Sequence, residues 1–399
     1  MSRATNRHEN RGIAEHEREH ELLLCCARTD SAPAVVQRMR ELAASVQLDW
    51  DYLFQLARRH AVIPLLYLQL AREAADLVPS SNLAKLKRQY QENNARNLIL
   101  TDELRRLIDF FNDAGIEAIP YKGPALALFA YGNLALRRFV DLDVIVRKSD
   151  VLRARDLLLA EGYTPTKSLT PAQQELLLRT QHNLQLARDN GRLILELHWE
   201  VAPHLFASSV QENELWRNLT TIELNGTRMK TLGADDLLFS LCVHGSRHLW
   251  ERLGWICDIA ELIGHHDLNW PGLLERARQT DAERMFLLGL HLARKLLQAQ
   301  LPAAVQQRCD SDPRLESLAA NVIEHLFNGP THIPATSTEI FKYNISVRKS
   351  LAARARYFVY MLRPTDSDFG TRSLPAAFSF GYYLVRPFRL LFRTKTTST

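Results

Sequence analysis

Apolar residues recur at helical spacing from about 17 to 112, with Leu53, Leu56, Ala57 and then Ile63, Leu65 and Leu66 marking faces that seek a core. Pro64 and Pro79-Ser80-Ser81 punctuate this stretch, as expected where one helix gives way to the next. Beyond it the period changes to two. Val140, Leu142, Val144 and Val146 fall on one side of a strand, with Asp141 and Asp143 together on the other. Leu193, Leu195, Leu197 and Trp199 form a second such face, opposite Ile194, Glu196, His198 and Glu200. Asn190-Gly191 just ahead is a two-residue hairpin signal that would pair Gln185 with Glu196 and Asn183 with His198. Asn225-Gly226 signals a second hairpin, and a helix over 150–160 is closed by Gly162. Helical spacing returns over 234–328.

This order predicts an α+β chain. Residues 1–15 are a polar, disordered N-terminus; 16–112 form a helical domain; 113–232 an α/β core; 233–328 a second helical domain; and 329–399 a C-terminal helical, basic-aromatic segment. At 399 residues the chain exceeds what one core usually supports, so two or three units are expected. No internal repeat or low-complexity tract interrupts it.

Composition narrows the class. A hydrophobic content of 46% with 24% charged residues is ordinary for a globular protein and argues against disorder. The net charge of +5 is too small to imply nucleic-acid binding, though it suits an anionic substrate. Cys25, Cys26, Cys242, Cys257 and Cys309 are odd in number and irregular in spacing, which points to reduced, buried thiols in a cytoplasm. The polar N-terminus lacks a signal core, and no run of 18 apolar residues marks a transmembrane segment, so a cytoplasmic location is expected.

The chemistry concentrates in 22 residues, Lys122 to Asp143. Asp141 and Asp143 lie about 6–7 Å apart on one strand face and repel each other unless a cation sits between them. Such a pair suits Mg²⁺, a hard cation that takes a few carboxylate oxygens plus substrate phosphates. On this reading, neutralising Asp143 in the metal-free protein leaves stability equal or higher. Upstream, 115–128 reads as a short strand, a tight Lys122-Gly123 turn and a helix opened by Pro124 and closed by Tyr131-Gly132. A helix N-terminus after glycine offers free N–H groups and partial positive charge to a phosphate, and Lys122 adds a point charge. Arg137 and Arg138 precede the carboxylates. Glu196, polar on a strand whose other face is apolar, supplies a third carboxylate, whereas His198 and Glu200 read as members of an ordinary wet face.

In this order (a Lys-Gly turn opening a helix, Arg before Asp-x-Asp, then hydrophobic-Glu-hydrophobic on a later strand), the chain resembles the polymerase-beta-type nucleotidyltransferase superfamily. Within it the chain is similar to the bacterial group called simply nucleotidyltransferase family protein. The similar blocks are 121–128, Leu136-Arg137 with Asp141–Val146, 195–199, and a helical block with His244, Trp250, Arg252, Leu253, Trp255 and Asp258. The likeness covers roughly 20–300. Lys122-Gly123 replaces the superfamily's usual Gly-Ser turn and resembles the variant of abortive-infection-type nucleotidyltransferase toxins.

The resemblance implies a small mixed-sheet core flanked by N- and C-terminal helical domains. It implies transfer of a nucleoside monophosphate from an NTP to an acceptor, with release of pyrophosphate. Asp141 and Asp143 would hold Mg²⁺ (or Mn²⁺), Glu196 would complete the metal site and help activate the acceptor, and Lys122, Gly123, Arg137 and Arg138 would bind the nucleotide. A small molecule, a protein or RNA can each serve as acceptor. The alternatives are a non-catalytic nucleotide-binding or scaffolding protein of the same fold and a toxin-like enzyme acting on RNA.

Three other features compete for attention. His16-Glu17-Arg18-Glu19-His20 matches the zinc-protease H-E-x-x-H pattern but lies in a charge run expected to be a solvated helix face. His244 and His248 have zinc-compatible spacing, yet read as part of a helical wall over the active site, with Asp258 placed to hydrogen-bond one of them. The aromatic-basic run 378–393 is expected to pack on the protein, with contact to an anionic membrane surface or RNA as the alternatives.

Overall fold

The computed structural model describes residues 16–165, 170–202, 215–331 and 335–363. The aromatic-basic run 378–393 and the N-terminal 15 residues lie outside the described residues. Helices α1 (Glu17–Cys26), α2 (Pro33–Ala43), α3 (Trp50–Arg59), α4 (Ile63–Glu73) and α5 (Ser80–Asp113) come first. Strand β1 (Ala118–Pro120), helix α6 (Gly123–Tyr131), β2 (Leu142–Val146), α7 (Val151–Ala160), β3 (Thr164–Pro165), α8 (Pro171–Thr180), β4 (Asn183–Arg188), β5 (Leu193–His198) and the β6 (Leu219–Leu224)–β7 (Thr227–Leu232) hairpin follow. The remainder is helical, from α9 (Ala234–Arg247) and α10 (Leu253–His265) through α11 (Trp270–Gln279), α12 (Glu283–Leu297), α13 (Ala303–Asp310), α14 (Leu315–Leu326), α15 (Ser337–Ser346) and α16 (Leu351–Leu362).

The expected punctuation holds. Pro64 sits in the first turn of α4, Pro79 precedes α5, and Gly162 adopts a left-handed conformation just past α7. The main sheet is mixed and five-stranded, in the order β1-β2-β5-β4-β3. Only β2 and β5 run parallel; the other pairs are antiparallel. Every residue of β2 is buried, as a central strand requires. The β4–β5 hairpin has the register its turn dictates, with Gln185 opposite Glu196 and Asn183 opposite His198. The parallel register then sets Asp143 opposite Glu196 and Ile145 opposite His198.

Two hydrophobic clusters hold these layers. One lies between the sheet, α5 and α7, and includes Leu104, Leu107, Phe111, Leu142, Val144, Leu158, Leu195 and Leu197. The other joins the helices that precede the sheet in the chain to those that follow it, from Leu22 and Leu53 to Phe286, Leu318 and Tyr357. The helical regions on either side therefore share a core. Trp250 is fully buried within it and sits against Gly245, where a Cβ would come within 2.3 Å of its ring. Left-handed Leu249 and Trp250 break the helical run between α9 and α10. All five cysteines are free and buried. No helix among the described residues is long and apolar enough to cross a membrane.

The charge run near the N-terminus departs from expectation. Glu19 and His20 are buried, the first accepting from the Asp49 N–H at 2.6 Å and the second lying 2.8 Å from Tyr52 Oη. Spacing puts these two residues on the inner side of α1, so the motif is a core contact rather than a wet face. It gathers no metal-binding cluster among the described residues.

Candidate active site

The candidate site is a cleft of about 490 Å³ between the sheet and the helices α3, α9 and α10. Its floor begins at the Lys122-Gly123 turn. Gly123 has φ +52, and a Cβ there would stand 3.2 Å from the Asp141 carbonyl oxygen, so the turn needs glycine on both counts. Pro124 then opens α6, and left-handed Gly132 closes it. The loop from there to β2 is clamped from α5: Asn97 Nδ2 donates to the Leu134 and Arg137 carbonyls at 2.6 and 2.8 Å, and Asn93 Nδ2 to the Ala135 carbonyl at 3.1 Å.

Asp143 projects from β2 into a charged knot. Lys122 Nζ lies 3.4 Å from its Oδ1, and His198 Nε2 lies 3.0 Å from the same oxygen. His198 Nε2 is also 3.3 Å from Glu196 Oε2, which accepts from Asn183 Nδ2 at 2.9 Å. Tyr121 Oη closes the far side, 3.4 Å from His198 Nδ1. The donor atoms of Asp143, Glu196 and His198 all fall within 4.8 Å of one another. Of the expected carboxylates, Asp143 and Glu196 thus come together, with His198 in third place. Asp141, just ahead of β2, lines the same cleft without a hydrogen-bond or ion-pair partner among the described residues.

His198 corrects the sequence reading. It is 2% exposed rather than part of a wet face. The signal was present, because His198 is two residues beyond Glu196 on the same strand face; what the sequence lacked was knowledge that Tyr121 and His182 would pack over that face. Glu200 is 3.8 Å from Lys148 and outside the knot.

Burial and charge set the protonation of these groups. Burial favours a neutral Asp143, but Lys122 and the His198 hydrogen bond override it and hold the carboxyl well below the usual range. Burial likewise opposes charge on Lys122 and His198, yet the carboxylates raise the pKa of both. Glu196 is lowered despite burial by its bond to His198. Asp141 goes the other way: burial, with Asp143 and Glu196 adding to it, pushes its carboxyl up to about 6. Three carboxylates thus face Lys122 and His198, and their mutual repulsion is felt most at Asp141, whose carboxyl is held nearest to its neutral form. That donor set fits a divalent cation of the Mg²⁺ or Mn²⁺ type.

The two arginines before β2 part company. Arg137 is 12% exposed and donates from Nε and Nη2 to the two Asp258 oxygens at 2.8 and 3.0 Å. Asp258 also accepts from Tyr131 Oη at 2.7 Å, so it braces the loop rather than binding a histidine as expected. Arg138 is exposed and lines the cleft. His244 and His248 do form its helical wall, their rings 4.7 Å apart and both against Trp255. Burial lowers the pKa of both, to about 3 for His248, with Lys122 and Arg247 adding to the effect.

With this geometry in place, comparison with known proteins gives two matches. A family model described as uncharacterised nucleotidyltransferase matches residues 47–298. Among solved structures, the chain is similar to an antigenic nucleotidyltransferase-like protein from Paracoccidioides brasiliensis, at 15% identity and a TM-score of 0.32 over 53% of this chain and 96% of that one. No curated protein matches.

Proposed function

We propose that this chain, which belongs to the uncharacterised nucleotidyltransferase family, transfers a nucleoside monophosphate from an NTP to an acceptor and releases pyrophosphate. Residues 113–232 would carry this chemistry, the helical regions 16–112 and 233–328 framing it. The observation that carries the reading is the parallel register that sets Asp143 opposite Glu196, beside a Lys-Gly turn that opens a helix.

Asp141, Asp143 and Glu196 would hold Mg²⁺ or Mn²⁺, with the neutral ring of His198 as a further donor. The metal, when bound, neutralises phosphate charge and favours in-line displacement at the α-phosphorus. Lys122 and the first turn of α6 would receive the triphosphate, Lys122 exchanging its contact with Asp143 for one with phosphate. Arg138 reaches the same cleft and would offset charge as pyrophosphate leaves. Arg137, fixed on Asp258, would position that loop. Glu196, oriented by Asn183, would accept the acceptor's proton.

Incubation with each radiolabelled NTP, Mg²⁺ and cell lysate tests the proposal. Label should pass to one class of acceptor with wild-type protein and not with Asp143→Asn. Metal-dependent NTP binding without any transfer would reassign the chain to a nucleotide-binding scaffold.

A further inference from the structure

The cleft continues past the carboxylates into a second hollow of about 400 Å³, and the two share Arg58 and Arg138. The hollow adds Arg96 from α5, while Arg252, at the start of α10, lines the cleft beside Arg138. These four arginines come from α3, α5, the loop before β2 and the N-cap of α10, so four separate segments bring like charges together. All four side chains are exposed, and none has a carboxylate partner among the described residues. Other surface arginines among the described residues are paired in part, as Arg38 with Glu21 and Arg40 with Asp76, or stand singly, as Arg18 and Arg192; these four are set apart by being gathered around adjoining hollows. Burial lowers the pKa of Arg138, and Arg96, Arg252 and Arg58, which line the same or adjoining hollows, lower it further. Of the carboxylates nearby, Glu92 lies 3.8 Å from Arg88, and Glu251 lines the cleft beside Arg252.

Guanidinium groups held together against their repulsion suit an anion with several oxygens, phosphate above all. The triphosphate would be taken at Lys122 and α6. Arg96, with Gln89 and Asn93 beside it, lies in the adjoining hollow and outside the carboxylate cleft. We infer that Arg58, Arg96 and Arg252, meeting at Arg138, form a second phosphate site that holds a phosphate of the acceptor. This rests on the transferase reading and adds the acceptor's chemistry to it: a phosphate-bearing molecule, whether a polynucleotide end or a small phosphorylated compound.

Binding by the full-length protein tests the inference. The probes are a fluorescent single-stranded oligoribonucleotide, ribose 5-phosphate, and Mg–NTP measured separately. The key variant is Arg58→Gln/Arg96→Gln, and Arg58→Lys/Arg96→Lys is the control that keeps charge and helix. At least one phosphate probe should bind wild-type protein and weaken about tenfold or more in the glutamine variant, with partial recovery in the lysine variant. Mg–NTP affinity should stay within about twofold. If the oligoribonucleotide is the binder, its log–log salt slope should become shallower by about 1.4 on loss of two phosphate contacts. Preferential binding of ribose 5-phosphate would assign the small-molecule source. Equal phosphate binding in wild-type and glutamine proteins, or failure of both probes to bind, would overturn the inference. So would loss of NTP affinity in step with loss of phosphate binding, since the arginines would then belong to the nucleotide grip. Phosphate binding without any NTP binding would sink the transferase reading and leave this anion site standing.

Discussion

Arg137 and Asp258 form a two-pronged ion pair, 2.8 and 3.0 Å long, that ties the loop ahead of β2 to helix α10. Both side chains are nearly buried, and Tyr131 adds a third bond to the same carboxylate. Breaking such a pair from one side strands a charge, at a cost of about 3–5 kcal/mol. Arg137→Met should therefore lower unfolding free energy by that order, as measured by urea denaturation. A loss under about 1 kcal/mol would show that water reaches Asp258 and that the brace is weak.

Lys122 and Asp143 change what neutralising the aspartate should do. On sequence grounds, removing one of two repelling carboxylates should leave the metal-free protein as stable or more so. In the structure, Lys122 and His198 already counter Asp143. Asp143→Asn should instead destabilise the metal-free protein by about 1–3 kcal/mol, because both cations lose a partner. It should also abolish the rise in melting temperature that Mg²⁺ or Mn²⁺ produces with NTP present. A metal response that survives the substitution would remove Asp143 from the site.

The sequence made one half of the knot legible and hid the other. Asn190-Gly191 allows a single tight register, so the pairing of Gln185 with Glu196 could be read from the turn. No turn sets the register of β2 against β5, which are parallel and separated by α7, β3, α8 and β4. Asp143 opposite Glu196 therefore emerges only from the packed sheet, and with it the burial of His198. The partner of Asp258 was hidden likewise, because Arg137 lies 121 residues away and helical spacing says nothing of what crosses a helix face. The arginine cluster gathers four such separated segments.

His60 should make stability fall in mild acid. It is fully buried, its Nδ1 accepting from the Leu253 N–H at 3.2 Å and its Nε2 lying 3.0 Å from the Leu326 carbonyl oxygen. That arrangement satisfies the neutral ring and leaves no room for a second proton. Burial, aided by Arg59, brings the pKa down to about 3. The unfolded chain, with a histidine pKa near 6.5, then binds more protons between about pH 3 and 6.5. The stabilisation is complete above that window and is lost as pH falls through it. From pH 6.5 to 5 the loss should be about 1–2 kcal/mol. His60→Gln should flatten this slope in urea midpoints taken across the range; an unchanged slope would place the titrating group elsewhere, with His20, lowered to about 4 by burial and by His16, the next to test.

Glu196 separates binding from chemistry. Its carboxylate accepts from Asn183 and lies beside His198, while its side chain keeps 24% exposure towards the cleft. Glu196→Gln preserves the shape and can still accept from Asn183, but it removes a basic oxygen and one negative charge. NTP affinity should therefore change little, whereas transfer should fall by a factor of about 10²–10⁴, the range for losing a general base. Lys122→Ala should do the reverse, weakening NTP binding by about 1–2 kcal/mol through loss of a charge-assisted contact. The two variants should thus separate in a paired measurement of NTP dissociation constant and single-turnover label transfer. Normal turnover by Glu196→Gln would make Glu196 a structural partner of His198 and leave proton acceptance to another group in the cleft.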